Sequence, residues 1–484
     1  MADQGKFRKS LNLFDSTAIT MGSMIGSGIF IVSADIARNV GSPGWLLVIW
    51  AITGVMTILA ALAYGELACM LPHAGGIYIY LREAYSPLFG FLYGWTLFMV
   101  IQCGTIAAVG MAFSKFLGVI IPWISEQKYL FSVTTFHFNT TQLVTILLII
   151  LLTAINTRGI REGKIIQNIF TSSKIFILLA FIIIGVYAAG HIRLGVFHSP
   201  DFWSASHVRG GVNVPISGMA LVVAIGVSMV GSLFAADAWY NITYTSDEVI
   251  NPKKTIPRSL FLGTLAVCTI YFLVNVVYVI ALPVRGSPEG ASVLARGIQF
   301  ASEDRVATAA IYGIFGQTAV LLMALVVVIS TFGCNNGIVL AGARVFYAMA
   351  KDGLFFKRMG KLNAKGVPAF SLIIQAVWSI LLCLTGTYTQ LLDYVMFAAI
   401  IFYVLTIFAV FVLRWKRPDI ERPYKAFGFP IFPILYIVAC IFILVVLIIY
   451  KPDFTGRGLI LVLVGVPVYF LWRGVRGKKQ AAGE

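Results

Sequence analysis

The sequence predicts an all-α integral membrane protein with twelve transmembrane helices, on three observations. Of the 484 residues, 59% are hydrophobic and 12% are charged, whereas about a quarter of the residues of a soluble domain are charged. The mean hydropathy is +0.90, and apolar runs long enough to cross a bilayer recur along nearly the whole chain. The longest polar stretches, 122–140, 190–215 and 284–306, are too short for an independent domain. Any function must therefore be built within the helix bundle.

Twelve apolar runs are the predicted spans, taken here in chain order. They cover roughly residues 14–37, 44–71, 87–121, 141–157, 165–189, 216–245, 259–283, 315–349, 368–386, 391–413, 429–450 and 457–473. A helix needs about 20 apolar residues to cross the hydrocarbon core of a bilayer. The even number of spans puts both chain termini on the same side of the membrane.

Basic residues predict which side of the membrane holds the termini. They lie before span 1, mainly in the even-numbered loops and after span 12, and the segment between spans 8 and 9 holds five of them: Lys351, Lys357, Arg358, Lys361 and Lys365. Because cytoplasmic loops carry an excess of Lys and Arg, both termini are expected to be cytoplasmic. The net charge of +16 is then an orientation signal, and no nucleic-acid partner is expected. No signal peptide is expected either, because no small-residue cleavage site follows the first apolar run.

The cysteine and histidine patterns indicate neither a metal site nor an enzyme. The six cysteines lie mostly within apolar runs without CxxC spacing, so no disulfide is expected. The five histidines are scattered, mostly in predicted loops, and no HExxH, GxSxG or Walker motif occurs. The sequence therefore predicts a protein that is not an enzyme and needs no cofactor.

The first span is weakened at its middle. Its stretch MGSMIGSGIF, residues 21–30, contains three glycines and two serines, and each interior glycine costs a helix about 1 kcal/mol relative to alanine. Span 6 is similarly disrupted by Gly231, Ser232 and Asp237. Spans 1 and 6 are the first helices of two five-helix halves, and the odd number gives the halves opposite orientations. Interrupted helices at matching positions of inverted repeats indicate the binding site of a transporter.

A broken helix exposes backbone groups that suit a zwitterion. In span 1 the freed amides of Gly26, Ser27 and Gly28 are expected to bind a carboxylate, with help from the Ser27 hydroxyl. The freed carbonyls expected to bind an α-ammonium group are those of Met24, Ile25, Phe234, Ala235 and Asp237. The small residues of span 1 also have an alternative role, because GSMIG contains the small-xxx-small pattern through which membrane helices pack closely.

Three side chains near these breaks have two interpretations each. Asp237 is either a functional carboxylate near the substrate or a cap for the second half of span 6. Phe234 is either a core residue or a lid over the ligand. Lys174 lies ten residues, about 15 Å of helix, beyond Lys164, so its ammonium is expected inside the membrane, where it mimics a bound cation or titrates. Alternatively its stem packs on lipid while its head reaches the interface.

At these residues the chain resembles a known family. GSMIGSGIF resembles the first-helix signature of the amino acid–polyamine–organocation superfamily, and residues 63–95 match its second-to-third-helix region. DEVINPKKTIPRSL, residues 247–260, resembles the segment after helix 6, and GARVFYAMAKDGLF, residues 342–355, the end of helix 8. ERPYKAFGFPIFP, residues 421–433, is typical of the L-type amino acid transporter branch. The resemblance covers nearly the whole chain.

This resemblance implies a LeuT-type fold with inverted repeats over 1–189 (helices 1–5) and 216–413 (helices 6–10), and peripheral helices 11 and 12 over 429–473. An L-amino acid is then held between the unwound parts of helices 1 and 6. The family's carboxylate-binding role falls on Gly26, Ser27 and Gly28, and its amino-group role on the carbonyls of Met24, Phe234, Ala235 and Asp237. Phe234 matches the gating aromatic. Lys174 matches the fifth-helix lysine that replaces the sodium ion of related sodium-coupled transporters.

The function that follows is secondary active transport of amino acids across the cytoplasmic membrane by alternating access. Sodium-independent exchange is expected if Lys174 stays charged, and proton-coupled symport if it titrates. A membrane amino acid sensor and a membrane enzyme are the alternatives from other classes. Residues 122–140 lack the cysteine that links animal L-type light chains to a heavy chain, so no disulfide-linked partner is expected, and the chain looks more like a bacterial member. Asp237 stands where glycine is often found in those relatives.

Overall fold

The computed structural model describes residues 9–133, 136–158, 160–385 and 388–481. Within these residues, nine helices are long and apolar enough to cross a membrane, and a bent pair, Leu13–Ile31 with Ser33–Val40, adds a tenth. Three further apolar helices are shorter: Val306–Phe315, Ala369–Leu384 and Gly458–Arg473. The prediction of a helical, multi-pass membrane protein is confirmed. The count of twelve stays a prediction, because predicted spans 9 and 12 correspond to two of the shorter helices.

The α-helices are numbered in chain order. They are Leu13–Met24 (α1), Gly28–Ile31 (α2), Ser33–Val40 (α3), Pro43–Met70 (α4), Ile77–Ala84 (α5), Pro87–Thr96 (α6), Cys103–Ile120 (α7), Thr140–Thr157 (α8), Ile160–Arg193 (α9), Gly218–Ala235 (α10), Asn241–Tyr244 (α11), Pro252–Ala281 (α12), Val293–Arg296 (α13), Val306–Phe315 (α14), Thr318–Lys351 (α15), Ala369–Thr385 (α16), Tyr388–Lys416 (α17), Ile431–Tyr450 (α18) and Pro452–Ala481 (α19). A π-helical segment, Leu97–Gln102, joins α6 to α7. Predicted span 3 is therefore one continuous helix.

Local sequence explains where several helices begin. Asn12 caps α1 and forms a capping box with Asp15, and Asn139 forms the same motif with Gln142 at the start of α8. Ser42 caps α4, whose first residue is a proline. These side chains bind the backbone amides that have no partner within the first turn of a helix.

Two short antiparallel hairpins lie in stretches predicted as loops. Strand β1 (Tyr129–Val133) pairs with β2 (Phe136–Asn139), and β3 (Ser206–Arg209) pairs with β4 (Val212–Pro215). The second hairpin turns through Gly210 and Gly211, whose φ angles are 57° and 82°. Two glycines between strand-forming residues are typical of a two-residue hairpin turn, so the sequence carried a signal that the loop prediction leaves out.

The two interrupted spans lie at the centre of the bundle. α12 packs along α4 and against α1, and α15 packs along α7 and against α1 and α9. On the other side of the break, α10 contacts α2, α3 and α4. The broken spans, α1–α3 and α10–α11, are thus enclosed by α4, α9, α12 and α15. Side chains of the candidate site come from α9, α12, α15 and α17.

Candidate functional site

The first span is interrupted at its glycine-rich stretch. α1 ends at Met24, Ile25 has a non-helical ψ of 88°, and α2 begins at Gly28 with Ser27 as its N-cap. Met24, Ile25 and Ser27 are each at most 2% exposed, and Gly26 and Gly28 are also buried. The structure thus places the three residues predicted to bind a carboxylate together in one buried break.

The sixth span is interrupted slightly later than the sequence predicts. α10 continues through Gly231 and Ser232 to Ala235, and residues 236–240 separate it from α11. Within this break Ala238 has a φ of 63°, a left-handed conformation that is uncommon outside glycine. Asp237 lies in the break itself, so the interruption is centred on the acid and not on the glycine.

The two broken spans touch through small residues. A Cβ atom on Gly28 would lie 2.4 Å from the Ala235 Cβ and 2.6 Å from its Cα, and one on Gly231 would lie 2.6 Å from a Val32 methyl. Atoms this close would overlap, so glycine is needed for spans 1 and 6 to approach each other here. Close packing is therefore one role of these glycines, and it leaves open the predicted role of the Gly26, Ser27 and Gly28 amides.

The Lys174 ammonium binds the end of α1. It donates to the Gly22 carbonyl at 2.7 Å and to the Ile25 carbonyl at 2.8 Å, and the side chain is 1% exposed. Its head group therefore lies inside the bundle, not at the membrane interface. The Ser330 hydroxyl also donates to the Ile25 carbonyl, at 3.4 Å. A carbonyl oxygen has two lone pairs, so the Ile25 oxygen already has a donor for each.

Two more side chains bind neighbouring carbonyls of the same helix end. The Tyr271 hydroxyl, on α12, donates to the Met24 carbonyl at 2.9 Å. The Cys334 thiol, on α15, donates to the Ser23 carbonyl at 3.1 Å. Four consecutive carbonyls at the end of α1 are thus bound by side chains of α9, α12 and α15. The Met24 oxygen keeps one lone pair for a further donor.

The carbonyl groups at the break of span 6 accept fewer hydrogen bonds than those at the end of α1. The Phe234 carbonyl accepts a hydrogen bond from the Asp237 amide at 3.2 Å. In the described part of the chain we find no donor to the carbonyls of Ala235 and Asp237. Phe234, predicted to gate the site, lies at the end of α10 and is 7% exposed. Of the predicted ammonium acceptors, Ala235 and Asp237 therefore have the most remaining capacity.

The Asp237 carboxylate lies among tyrosines. The Tyr403 hydroxyl of α17 donates to one of its oxygens, the Tyr240 hydroxyl donates to the other at 3.5 Å, and the two hydroxyls are 3.0 Å apart. Tyr240, the residue directly before α11, makes no side-chain cap hydrogen bond. In this structure the carboxylate is thus bound by aromatic hydroxyls. Among the described residues, no group of three or more His, Cys, Asp and Glu side chains could hold a metal ion.

Sequence reasoning missed five of these side chains: Tyr240, Tyr271, Ser330, Cys334 and Tyr403. Each is a common residue in an apolar run, and no local pattern distinguishes it from a core residue. The partners of Tyr271 and Cys334 lie more than 240 positions away along the chain.

Both ends of span 1 are fastened to other parts of the chain. Near the N-terminus, the amides of Ser10 and Leu11 donate to the Glu248 carbonyl at 2.8 and 3.0 Å. The Glu248 carboxylate in turn pairs with Arg344 at 2.5 Å, and both side chains are buried. At the other end of the span, Arg38 pairs with Asp304 at 2.6 Å. These contacts join span 1 to other parts of the bundle on both sides of the break.

Comparisons with known proteins give matches over nearly the whole chain. A family model described as amino acid permease matches residues 11–470. The chain is 31% identical over 471 residues to the large neutral amino acids transporter small subunit 2 of Rattus norvegicus, covering 96% of this chain and 80% of the relative. It is 30% identical to the b(0,+)-type amino acid transporter 1 of Mus musculus, covering 96% and 88%. It is 28% identical to the Asc-type amino acid transporter 1 of Mus musculus, covering 96% and 82%.

Proposed function

The chain belongs to the amino acid permease family, and from this premise we propose that it transports amino acids across the cytoplasmic membrane by alternating access. The observation that carries the proposal is the meeting of two broken spans at one buried position, where Gly28 contacts Ala235. Such a pair of breaks presents backbone donors and acceptors to a zwitterion at the centre of a membrane protein. The names of the relatives, which are amino acid transporters, support the same substrate class.

The proposed substrate site uses backbone groups from both spans. The amides of Gly26, Ser27 and Gly28 bind the α-carboxylate. The α-ammonium group binds the carbonyls of Ala235 and Asp237, to which no residue in the described part of the chain donates, with further contributions from Met24 and Phe234. Ile25 is the weakest of the predicted acceptors, because Lys174 and Ser330 already donate to its oxygen. Phe234 covers the bound amino acid.

We propose sodium-independent exchange as the mode of transport. The Lys174 ammonium lies 2.7 and 2.8 Å from two carbonyls of span 1, where it supplies a fixed positive charge to the helix end. A transporter with a built-in cation has no requirement for sodium. If Lys174 releases its proton during the cycle, the alternative is proton-coupled symport.

The finer architecture belongs to the same proposal. Twelve spans form a LeuT-type bundle, with inverted repeats over 1–189 and 216–413, peripheral helices over 429–473, and cytoplasmic termini. The bundle is embedded in the lipid bilayer. A disulfide-linked heavy chain is not part of the proposal, because residues 122–140 contain no cysteine.

Uptake of radiolabelled amino acids into proteoliposomes tests these statements. Liposomes are prepared with or without an internal amino acid pool, and with or without a pH gradient, in sodium-free buffer. Uptake that requires the internal pool supports exchange. Accumulation driven by the pH gradient without a pool would replace exchange by proton coupling. A sensor or an enzyme would bind the amino acid but show no counterflow, which would refute the transport proposal.

A further inference from the structure

A cavity of about 850 Å³, with no residue of either break in its lining, lies between the start of α6, the end of α15 and the C-terminal part of α19. We call it the tail groove, and the lining residues used here are Arg82, Ser86, Leu88, Asp352, Phe470 and Arg473. Its membrane face can be assigned from contacts: Arg344 of α15 pairs with Glu248, whose carbonyl accepts the amide of Leu11. The groove is therefore on the same face as the N-terminal segment.

One basic side chain of the groove, that of Arg473, has no acidic partner among the described residues. Arg82 pairs with Asp352 and, at 2.9 Å, with Glu83, and Asp352 also accepts a hydrogen bond from Tyr78 at 2.6 Å. Glu83 is shared with Arg417 at 2.7 Å. These four charges balance one another. Arg473 is exposed and forms no ion pair with any residue that the structure describes.

The remaining lining suits an amphiphile. Phe470, which is 58% exposed, and Leu88 present apolar surface beside the charged groups. The Ser86 hydroxyl, at the start of α6, makes no cap hydrogen bond. The Trp472 indole donates to the Gly353 carbonyl at 3.2 Å, and tryptophan is enriched at the level of lipid headgroups. A cation, a hydroxyl and an apolar wall at this depth match a phosphate joined to an acyl chain.

We propose that the tail groove binds an anionic phospholipid of the leaflet on the side of the N-terminal segment. Arg473 and Ser86 contact the headgroup phosphate, and Leu88 and Phe470 contact an acyl chain. Basic pockets between transmembrane helices on the cytoplasmic side are known recognition sites for anionic headgroups. Arg82 stays with its carboxylate partners and holds the wall of the groove in place.

The groove is connected to the second half of span 6. Arg82 lies in the last turn of α5, and at the other end of this helix a Cβ on Gly76 would lie 2.2 Å from the Thr243 hydroxyl. The Tyr93 hydroxyl also contacts the Tyr244 hydroxyl of α11. Because α5 and α6 thus contact both the groove and α11, a lipid in the groove is expected to change the rate of transport.

The binding test uses the full chain in phosphatidylcholine nanodiscs with increasing phosphatidylglycerol, with bound lipid counted by native mass spectrometry. Arg473→Gln is expected to lower phosphatidylglycerol binding about fivefold, since one Arg near the surface contributes about that factor, and Arg473→Lys is expected to restore most of it. Arg358→Gln is the matched control, because Arg358 is exposed in the loop after α15 and outside the groove. Ser86→Ala is expected to lower binding as well.

Three outcomes would overturn the proposal. Equal losses in Arg473→Gln and Arg358→Gln would indicate general surface attraction and no groove site. Displacement of the lipid by inorganic phosphate or glycerol phosphate would assign the groove to a soluble phosphate compound. Unchanged binding in both Arg473→Gln and Ser86→Ala would exclude the groove. The count of bound lipids needs no transport activity, so it stands apart from the transport proposal. A several-fold rise in wild-type uptake with phosphatidylglycerol, reduced in Arg473→Gln, is the expected functional consequence.

Discussion

Gly28→Ala tests whether the contact between spans 1 and 6 requires glycine. The added methyl would lie 2.4 Å from the Ala235 Cβ and 2.6 Å from its Cα, whereas ordinary contacts begin at 3.4 Å. The breaks must therefore separate by about 1 Å, and one of the clashing atoms belongs to the backbone, which cannot rotate away. Forcing an extra methyl group into a packed interior typically costs about 1–3 kcal/mol. This corresponds to roughly a 5- to 150-fold change in an equilibrium constant.

The assay is binding and exchange of a radiolabelled amino acid by the purified variant in proteoliposomes, with the melting temperature measured alongside. We expect Gly28→Ala to lower substrate affinity at least fivefold. Gly26→Ala should have a smaller effect, because its new methyl would meet the Cys334 sulphur at 2.9 Å, a side-chain atom that can shift. Gly456→Ala is the control, since nothing lies within 4 Å of its added Cβ. Adding Ala235→Gly to Gly28→Ala should rescue only part of the loss, because the new methyl would still overlap the backbone of residue 235.

Wild-type affinity and melting temperature in Gly28→Ala would refute this reasoning, since they would mean that spans 1 and 6 do not approach each other as the structure describes. Complete rescue by Ala235→Gly would also contradict it. A loss in Gly456→Ala as large as that in Gly28→Ala would trace the effect to glycine chemistry in general and not to this contact.

Three further substitutions test separate parts of the chain. Lys174→Met should reduce exchange at least tenfold, because it removes two hydrogen bonds from a charged donor, each worth about 1.5–3 kcal/mol. A normal exchange rate would contradict the role of Lys174 as the cation that binds the end of α1. Asp237→Asn keeps an acceptor for the tyrosines but removes the charge, so the ratio of arginine to leucine uptake should fall; equal losses for both would argue against a role in selectivity. Burial raises the pKa of Glu83, but its hydrogen bonds with Arg82 and Arg417 lower it below the ordinary value overall. Glu83 therefore stabilises the fold above the ordinary carboxyl pKa of about 4.3 and loses this effect as the pH falls through its lowered pKa. The melting temperature of Glu83→Gln should accordingly lie below that of the wild type at pH 7 and converge with it in acid. The corresponding difference in the free energy of unfolding at pH 7 is about 1 kcal/mol or less.

The parts of the site that sequence reasoning could reach are those with a local signature. Three glycines within seven residues locate the break in span 1, and the burial of Lys174 follows from its distance to the nearest basic residue. The break in span 6 is displaced toward Asp237, because Gly231 serves helix packing against Val32 and does not end α10. A single glycine does not reveal which of these two roles it has.

The residues that sequence reasoning could not reach depend on the packing of distant spans. Tyr403 and Asp237 are 166 positions apart, and Tyr271 and Met24 are 247 apart. Their hydrogen bonds exist only because α12 and α17 pass beside the breaks, and a single sequence contains no record of that arrangement. The number of spans is equally ambiguous, since Ala369–Leu384 in α16 and Gly458–Arg473 in α19 are apolar stretches shorter than the roughly 20 residues that a bilayer core requires.

The fastening of α1 limits how the bundle can open. Its last carbonyls are bound by Lys174, Tyr271 and Cys334, which belong to three different helices. A tilt of α1 away from the bundle must break these bonds or carry α9, α12 and α15 along with it. Breaking them would leave a buried ammonium without acceptors, which is costly in a membrane interior. Opening toward the N-terminal face is therefore expected to begin at the contacts of Ser10 and Leu11 with Glu248, which precede α1, and to reach Lys174 last.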